Sequence, residues 1–366
     1  MYKMNKKSEE IYYASEAKLI WWRFRRNKLA IIGMIILLML YVFGIFAEFF
    51  APYDPNKLNH FYVYAPPQRV RIIRDGKLVR PYVYGYKAER DPETLQRIYV
   101  ADESQIYPIK FFVRGDKYKL WGIWESDIHF VGVEEGVLFP FGTDRMGRDM
   151  FSRIIFGARI STTIGLVGVF LSLVIGIVLG GISGYYGGTI DFITQRFIEI
   201  VRSIPDIPLW MALAAALPRY MTQIQRYFAI TIILSLIGWT DLARVVRSRL
   251  LILRNEDFVV AARLSGAKES RVIFKHMLPS LTSHMIVSVT LAIPGMILGE
   301  TGLSFLGLGL QSPAISWGVL LQEAQNIRTV SMQPWLMLPA LFVIITVLCF
   351  NFLGDGLRDA ADPYHT

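Results

Sequence analysis

Six apolar blocks, each about 20 residues long, decide what this chain can fold into. They cover 29–50, 161–182, 197–217, 227–246, 285–310 and 335–353. At about 1.5 Å per residue, a helix of that length crosses a bilayer core of about 30 Å. Backbone polar groups inside lipid must pair within their own segment, so helices are the expected form. The expected fold is an all-α polytopic membrane protein with six transmembrane helices. Composition agrees, because only 19% of the residues are charged, against about 25% in a soluble domain. That composition argues against an ordinary cytosolic enzyme and rules out a disordered chain.

The net charge of +9 has a definite location. Residues 1–28 carry eight basic and three acidic side chains, and 241–279 carry eight basic and four acidic ones. These two stretches hold the whole excess and flank apolar blocks. The positive-inside rule therefore explains them better than nucleic-acid binding does. Residues 1–28 are expected to be a cytoplasmic tail and 29–50 an uncleaved first span. Six spans place both termini, and the loop 247–284, in the cytoplasm of a multi-pass cell-membrane protein.

Between Pro52 and the second block the composition changes. Residues 51–140 are rich in Tyr, Val, Ile, Arg and Asp, with short strand-like runs broken by Gly-Asp and Asp-Gly turns. The expectation is a largely β extracytoplasmic insertion.

No constellation supports catalysis. There is no Gly-x-x-x-x-Gly-Lys-Ser/Thr loop, no Gly-x-Ser-x-Gly elbow and no His-Glu-x-x-His among His60, His129, His276, His284 and His365. The lone Cys349 excludes an intrachain disulfide and a Cys-based metal site. Helix breakers stand out instead. Pro205 and Pro208 lie in the third block, Pro294 in the fifth and Pro339 in the sixth. Glycines 165, 168, 176, 180, 181 and 184 run along the second. They fit either close helix packing or a gated pathway. Glu300, a carboxylate in an apolar block, could line a path, tie two helices, or sit hydrated at the interface. Asp206 could face a pore or cap a helix at the Pro205 break, and Arg202 can snorkel to the inner interface.

Two segments are patterned more tightly. Residues 257–279 read DFVVAARLSGAKESRVIFKHMLP. Asp257 can cap a short helix and Gly266 can end it. Phe258 would be an aromatic knob, Ala261 and Ala262 would permit close approach, and Arg263 would add charge. Such a helix can seat in a groove of a partner or lie on the anionic inner leaflet. Residues 141–163 read FGTDRMGRDMFSRIIFGARISTT. Met146, Met150, Phe151, Ile154 and Ile155 form an apolar stripe beside Arg148, Asp149 and Arg153, which suggests an amphipathic helix on the outer interface.

The pattern Ala261-Ala262, Gly266, Leu278-Pro279 resembles the signature loop of ABC-importer permeases, with departures at Val260 (usually Glu) and His276 (often Ile). Gly142-Thr143-Asp144, Gly147-Arg148-Asp149, Ser152-Arg153 and Gly157-Ala158-Arg159 resemble the stretch before the permease core in C-type subunits of dipeptide, oligopeptide and nickel ABC importers. GYYGG at 184–188, GETGLSFLGLGL at 299–310 and NFLGDGLRDAADP at 351–363 are similar to further family signatures. The resemblance covers 141–366 and leaves 56–138 uncovered.

It implies a five-helix permease core at 141–366 behind an N-terminal helix. Asp257, Phe258, Ala261, Ala262, Arg263, Gly266, Leu278 and Pro279 would form the ATPase-coupling segment. Glu300, Pro294, Pro205 and Asp206 would lie on the path or gate. Gly142, Thr143, Asp144, Gly147, Arg148, Asp149, Ser152 and Arg153 would form an interfacial signature. The implied partners are a homologous B-type permease, two ABC ATPase subunits, an extracytoplasmic solute-binding protein and membrane lipid, with no nucleic acid. The chain itself would be no enzyme and hold no cofactor or metal, with ATP and Mg in the ATPases. Peptides are the expected cargo; nickel or oligosaccharides are the alternative. Two other readings are a membrane receptor that uses the insertion, and an intramembrane enzyme built on Glu300 and Asp206.

Overall fold

A computed structural model describes residues 16–74, 76–90, 92 and 97–362. Residues 1–15 of the basic tail, Pro363 and His365 lie outside the described residues. Among the described residues, five helices are long and apolar enough to cross a membrane: Lys28–Ile45, Met150–Tyr186, Gln223–Leu253, Thr282–Phe305 and Pro334–Ala361. Exposed apolar side chains line them on the outside, for example Ile32, Leu38 and Phe43 on the first and Leu341, Ile344 and Leu348 on the last. In water such surfaces would be unfavourable, whereas in lipid they are ordinary.

The third expected span is not one helix. Gly188–Arg202 stops, Pro205 is extended, and a ten-residue helix restarts at Asp206–Ala215. Pro205 has no N–H to continue the ladder and its ring opposes the preceding turn. The fourth helix, in contrast, runs straight past Thr240, Asp241 and Arg244. Asp241 faces outward there and pairs with Arg202.

The chain divides into two compact units. The first comprises 1–38, 164–300 and 344–366. Its core is built on backbone approach at glycine. A Cβ at Gly180 would lie 2.3 Å from the Ala243 carbonyl oxygen, at Gly176 2.8 Å from Leu242 Cβ, and at Gly184 2.8 Å from the Arg247 carbonyl oxygen. These glycines recur every four residues, so one bare face of Met150–Tyr186 receives Gln223–Leu253. Gly165 meets Ile293 and Ile297 of Thr282–Phe305 on another face. Ser235 Oγ donates to the Gly168 carbonyl at 3.0 Å, a polar tie between helices. At the turn after Tyr186, Gly187 takes a φ of +67°, which glycine tolerates.

The second unit comprises 39–163 and 301–343. It contains all the strands described. Arg71–Arg74, Lys77–Arg90 and Arg97–Pro108 form an antiparallel sheet in that order, and Lys110–Leu120 pairs with Trp124–Gly132 in a separate hairpin. Gln68 holds the first sheet to the chain behind it, donating to the carbonyls of Tyr84 and Val137 and accepting from the Phe139 N–H. His129 secures the hairpin, its two ring nitrogens facing the carbonyls of Ala51 and Asp116. An apolar core of Met150, Ile154, Ile315, Leu320 and Leu336 packs beside buried Trp317. The Trp317 indole donates to the Ile154 carbonyl at 3.1 Å.

Candidate functional site: an exposed helix and a buried charge knot

In the first unit, Gln223–Leu253 ends at Arg254 and a short helix follows, Asp257–Leu264. Glu256, not Asp257, holds the N-cap position, and no side chain caps the helix there. Asp257 sits in the first turn, where its charge complements the helix dipole. The C-terminus follows the sequence expectation. Gly266 has φ +77°, its N–H donates to the Arg263 carbonyl, and the Ala267 N–H reaches the Ala262 carbonyl. This is a Schellman stop, which needs a left-handed residue at Gly266.

The helix has two faces. Val259 is fully buried and Ala262 packs beside it against Val246, Leu250, Val272, Met277 and Tyr185. Arg263 lies over the Tyr185 ring at 4.8 Å. Phe258, Val260 and Leu264 point outward, with Leu264 84% exposed. Ala261 is exposed among them. Phe274, in the π-helical turn Val272–Met277, adds a further exposed ring. Leu278 and Pro279 begin the next turn, which leads into Thr282–Phe305. The result is a small apolar platform, rigidly held from behind.

In the second unit, residues 142–153 do not form the amphipathic surface helix that the apolar stripe suggests. Residues Thr143 to Asp149 make a tight loop closed by a bridge between its ends, and the helix begins at Met150 and continues as the span itself. The charged side chains face inward. Asp144, Arg148, Asp149 and Arg153 are all buried. Asp144 accepts from Arg148 Nε at 2.6 Å, from Arg153 Nη1 at 2.6 Å, and from the N–H groups of Met146 and Arg148. Such burial is tolerable because the opposite charges are matched and hydrogen-bonded. Gly147 makes the loop possible, with φ +73° and no room for a Cβ, which would lie 1.8 Å from the Asn59 carbonyl oxygen. Gly142, also at positive φ, precedes Thr143, whose hydroxyl accepts from the Ala65 N–H.

Asp149 has a different task. Its carboxylate accepts from the Ser152 N–H at 2.8 Å and the Ser152 hydroxyl at 2.6 Å, which caps the helix that starts at Met150. Burial pushes its pKa up to about 7, against the pull of those hydrogen bonds.

Glu323 is the residue that the sequence reading missed. It lies 3.5 Å from Arg148 Nη2 and 3.4 Å from Arg145 Nε, and burial raises its pKa. Arg145, Arg148 and Arg153 outnumber Asp144 and Asp149 in this segment, and the one charge left to be matched was the available signal. Its position 170 or more residues along the chain concealed it.

The path candidates separate. Glu300 is fully buried, so a hydrated interfacial position is not the one it occupies. Pro294 is buried within Thr282–Phe305. Pro205 and Asp206 are exposed, and Asp206 caps nothing. The helix they begin reaches Gly299 through Trp210, whose ring lies 3.1 Å from where a Gly299 Cβ would stand. Arg202 pairs with Asp241 instead of standing alone.

Residues 176–364 match the family described as "Binding-protein-dependent transport system inner membrane component". Residues 15–67 match "N-terminal TM domain of oligopeptide transport permease C". The oligopeptide transport system permease protein of Bacillus subtilis is 33% identical over 93% of this chain and 87% of its own length. The corresponding Haemophilus influenzae protein is 44% identical over 63% of this chain and 71% of its own. The dipeptide transport system permease protein of Bacillus subtilis is 40% identical over 61% and 68%.

Proposed function

The chain belongs to the family of binding-protein-dependent transport system inner-membrane components, and on that premise we propose how its parts serve import. It is the C-type permease subunit of a peptide ABC importer, and ATP hydrolysis belongs to another subunit. The observation that carries the reading is identity to an oligopeptide permease along nearly the whole chain.

We read Gly188–Arg202 and Asp206–Ala215 as a sixth, broken crossing beside the five long apolar helices; an even number of crossings, with the basic tail on the cytoplasmic side, leaves both termini in the cytoplasm. Residues 51–140 then lie outside the membrane, and 141–366 form the permease core with its loop 247–284 inside. A homologous B-type permease supplies the other half of the path, two ABC ATPases bind ATP and Mg below, and a solute-binding protein delivers peptide from outside.

Asp257–Leu264 is the coupling helix. Phe258, Ala261 and Leu264 offer an apolar platform to an ATPase groove. Val259 and Ala262 tie it to Val246 and Leu250 of one span and to Met277, just ahead of another. A push on the platform therefore moves two spans together, which is what alternating access needs. The knot of Gly142 to Arg153 fixes the outer end of the second span and shapes the rim there. Glu300, Pro294, Pro205 and Asp206 belong to the path or its gate.

Co-purification of the tagged chain from membranes in mild detergent tests this. The second permease and both ATPases should be recovered, and Phe258→Asp should lose the ATPases while keeping the permease. Phe258 is 43% exposed, so that change spares the core. Retention of the ATPases by the variant would refute the coupling role.

A further inference from the structure

The hairpin Lys110–Leu120/Trp124–Gly132 has an unusual tip. Turns normally use Gly, Asn, Asp, Ser or Pro. Here the tip reads Trp121-Gly122-Ile123-Trp124, and the three large side chains are exposed, Ile123 by 70%. Trp121 takes a left-handed φ of 52°, and Phe112 one of 57°. Bulky residues avoid that region, so the chain accepts backbone strain at two exposed aromatic positions. Phe111 and Phe112 extend the same exposed apolar surface along the hairpin.

The hairpin is docked on the end of the first span. Trp121 Nε1 donates to the Ile45 carbonyl at 2.8 Å, and its ring lies 5.3 Å from Phe46. Arg159 donates to the Gly44 carbonyl at 2.7 Å and pairs with Glu48. The Gly44 and Ile45 carbonyls at the end of Lys28–Ile45 are thus covered. That helix has 18 residues, about 27 Å of rise, just short of a hydrocarbon core of about 30 Å. Ile45 therefore stands at the outer boundary of the bilayer core, and the exposed Met39, Phe43 and Ile45 of the helix continue into the exposed tip. Tryptophan, with an apolar body and one N–H, is the side chain favoured at that depth.

From this continuity we propose that the tip Trp121–Trp124 is embedded in the outer interface of the lipid bilayer and anchors the extracytoplasmic insertion to the membrane. The inference rests on the reading that Lys28–Ile45 spans and that the insertion lies outside. Lipid is the occupant because the surface continues a lipid-facing helix.

The test uses the assembled transporter in nanodiscs of phosphatidylethanolamine and phosphatidylglycerol. With Cys349→Ala as background, single cysteines at Ile123, Met39 and Ala88 carry a nitroxide label. Ala88, exposed between Lys87 and Glu89 on the other sheet, reports water. Power saturation compares collisions with apolar oxygen and with a water-soluble nickel chelate. At Ile123 the oxygen-to-nickel ratio should be several-fold above that at Ala88 and approach that at Met39. A ratio at Ile123 equal to that at Ala88 overturns the proposal. So does low access to both reagents, which would mean a protein partner covers the tip. A water-like Met39 would instead refute the spanning reading beneath it.

Discussion

Asp144→Asn is the most exacting test of the buried knot. The substitution keeps the size of the side chain and one oxygen for the N–H groups of Met146 and Arg148. It removes the charge that Arg148 Nε and Arg153 Nη1 both meet at 2.6 Å. Both guanidinium groups are at least 94% buried. Removing one partner from a buried ion pair costs about 3–5 kcal/mol, because the other charge is left uncompensated. Two unit charges 4 Å apart at an effective dielectric constant of 20 give about 4 kcal/mol, which agrees. At about 2–4 °C per kcal/mol, the melting temperature of the detergent-solubilised protein should fall by roughly 6–20 °C. The exposed pair Lys119–Glu125 is the comparison. Glu125→Gln should change stability by no more than about 1 kcal/mol. Adding Arg153→Met to Asp144→Asn should recover part of the loss. If Asp144→Asn melts within 2 °C of the parent, as roughly 1 kcal/mol or less would give, the charge balance assigned to the knot is wrong.

Three further outcomes follow from the same geometry. Asp149 carries a pKa raised to about 7, so below that pH the folded chain holds a proton that the unfolded chain releases above about 4. Stability from this group is full below about 4 and is lost as pH rises through about 7, and Asp149→Asn, which keeps the cap, should flatten that part of a melting-temperature-against-pH curve. Gly180→Leu forces a side chain into the Ala243 backbone, should cost more than the usual 1–3 kcal/mol of overpacking, and should abolish a monodisperse peak in size-exclusion chromatography, whereas Gly181→Ala, whose Cβ would meet only Leu250 Cδ1 at an ordinary 3.9 Å, should not. Arg159→Met strands Glu48 and the Gly44 carbonyl, while the Ile45 carbonyl keeps Trp121; a double-mutant cycle with Glu48→Gln should show about 1–3 kcal/mol of coupling, and additivity would contradict the pairing.

The long apolar helices and the short helix Asp257–Leu264 were legible in the sequence for physical reasons. Apolar runs longer than a bilayer have few alternatives, and Gly266 marks a helix end because few other residues adopt its backbone angle. Position-by-position exposure was less legible. Of the stripe Met146, Met150, Phe151, Ile154 and Ile155, Met146 falls in the loop and the other four lie on the helix, yet the charges beside it face a buried carboxylate and not water. Periodicity reports which residues share a face, but not whether a polar face finds a partner such as Glu323, distant in the chain. The break in the third apolar block was signalled by Pro205 and Pro208; apolar content alone hid it. Within 51–140, β structure was readable from composition, whereas the docking of Trp121 on the Ile45 carbonyl depends on a tertiary hydrogen bond with no local pattern.

The central claim is that this chain is half of an ATP-driven peptide path. Reconstitution into liposomes with its partner permease, both ATPases and the solute-binding protein tests it, using uptake of a radiolabelled oligopeptide. Uptake should require ATP inside and binding protein outside, and should fall to background with Phe258→Asp. Undiminished uptake without ATP, or none from the intact, correctly assembled complex for any peptide the binding protein retains, would contradict the account.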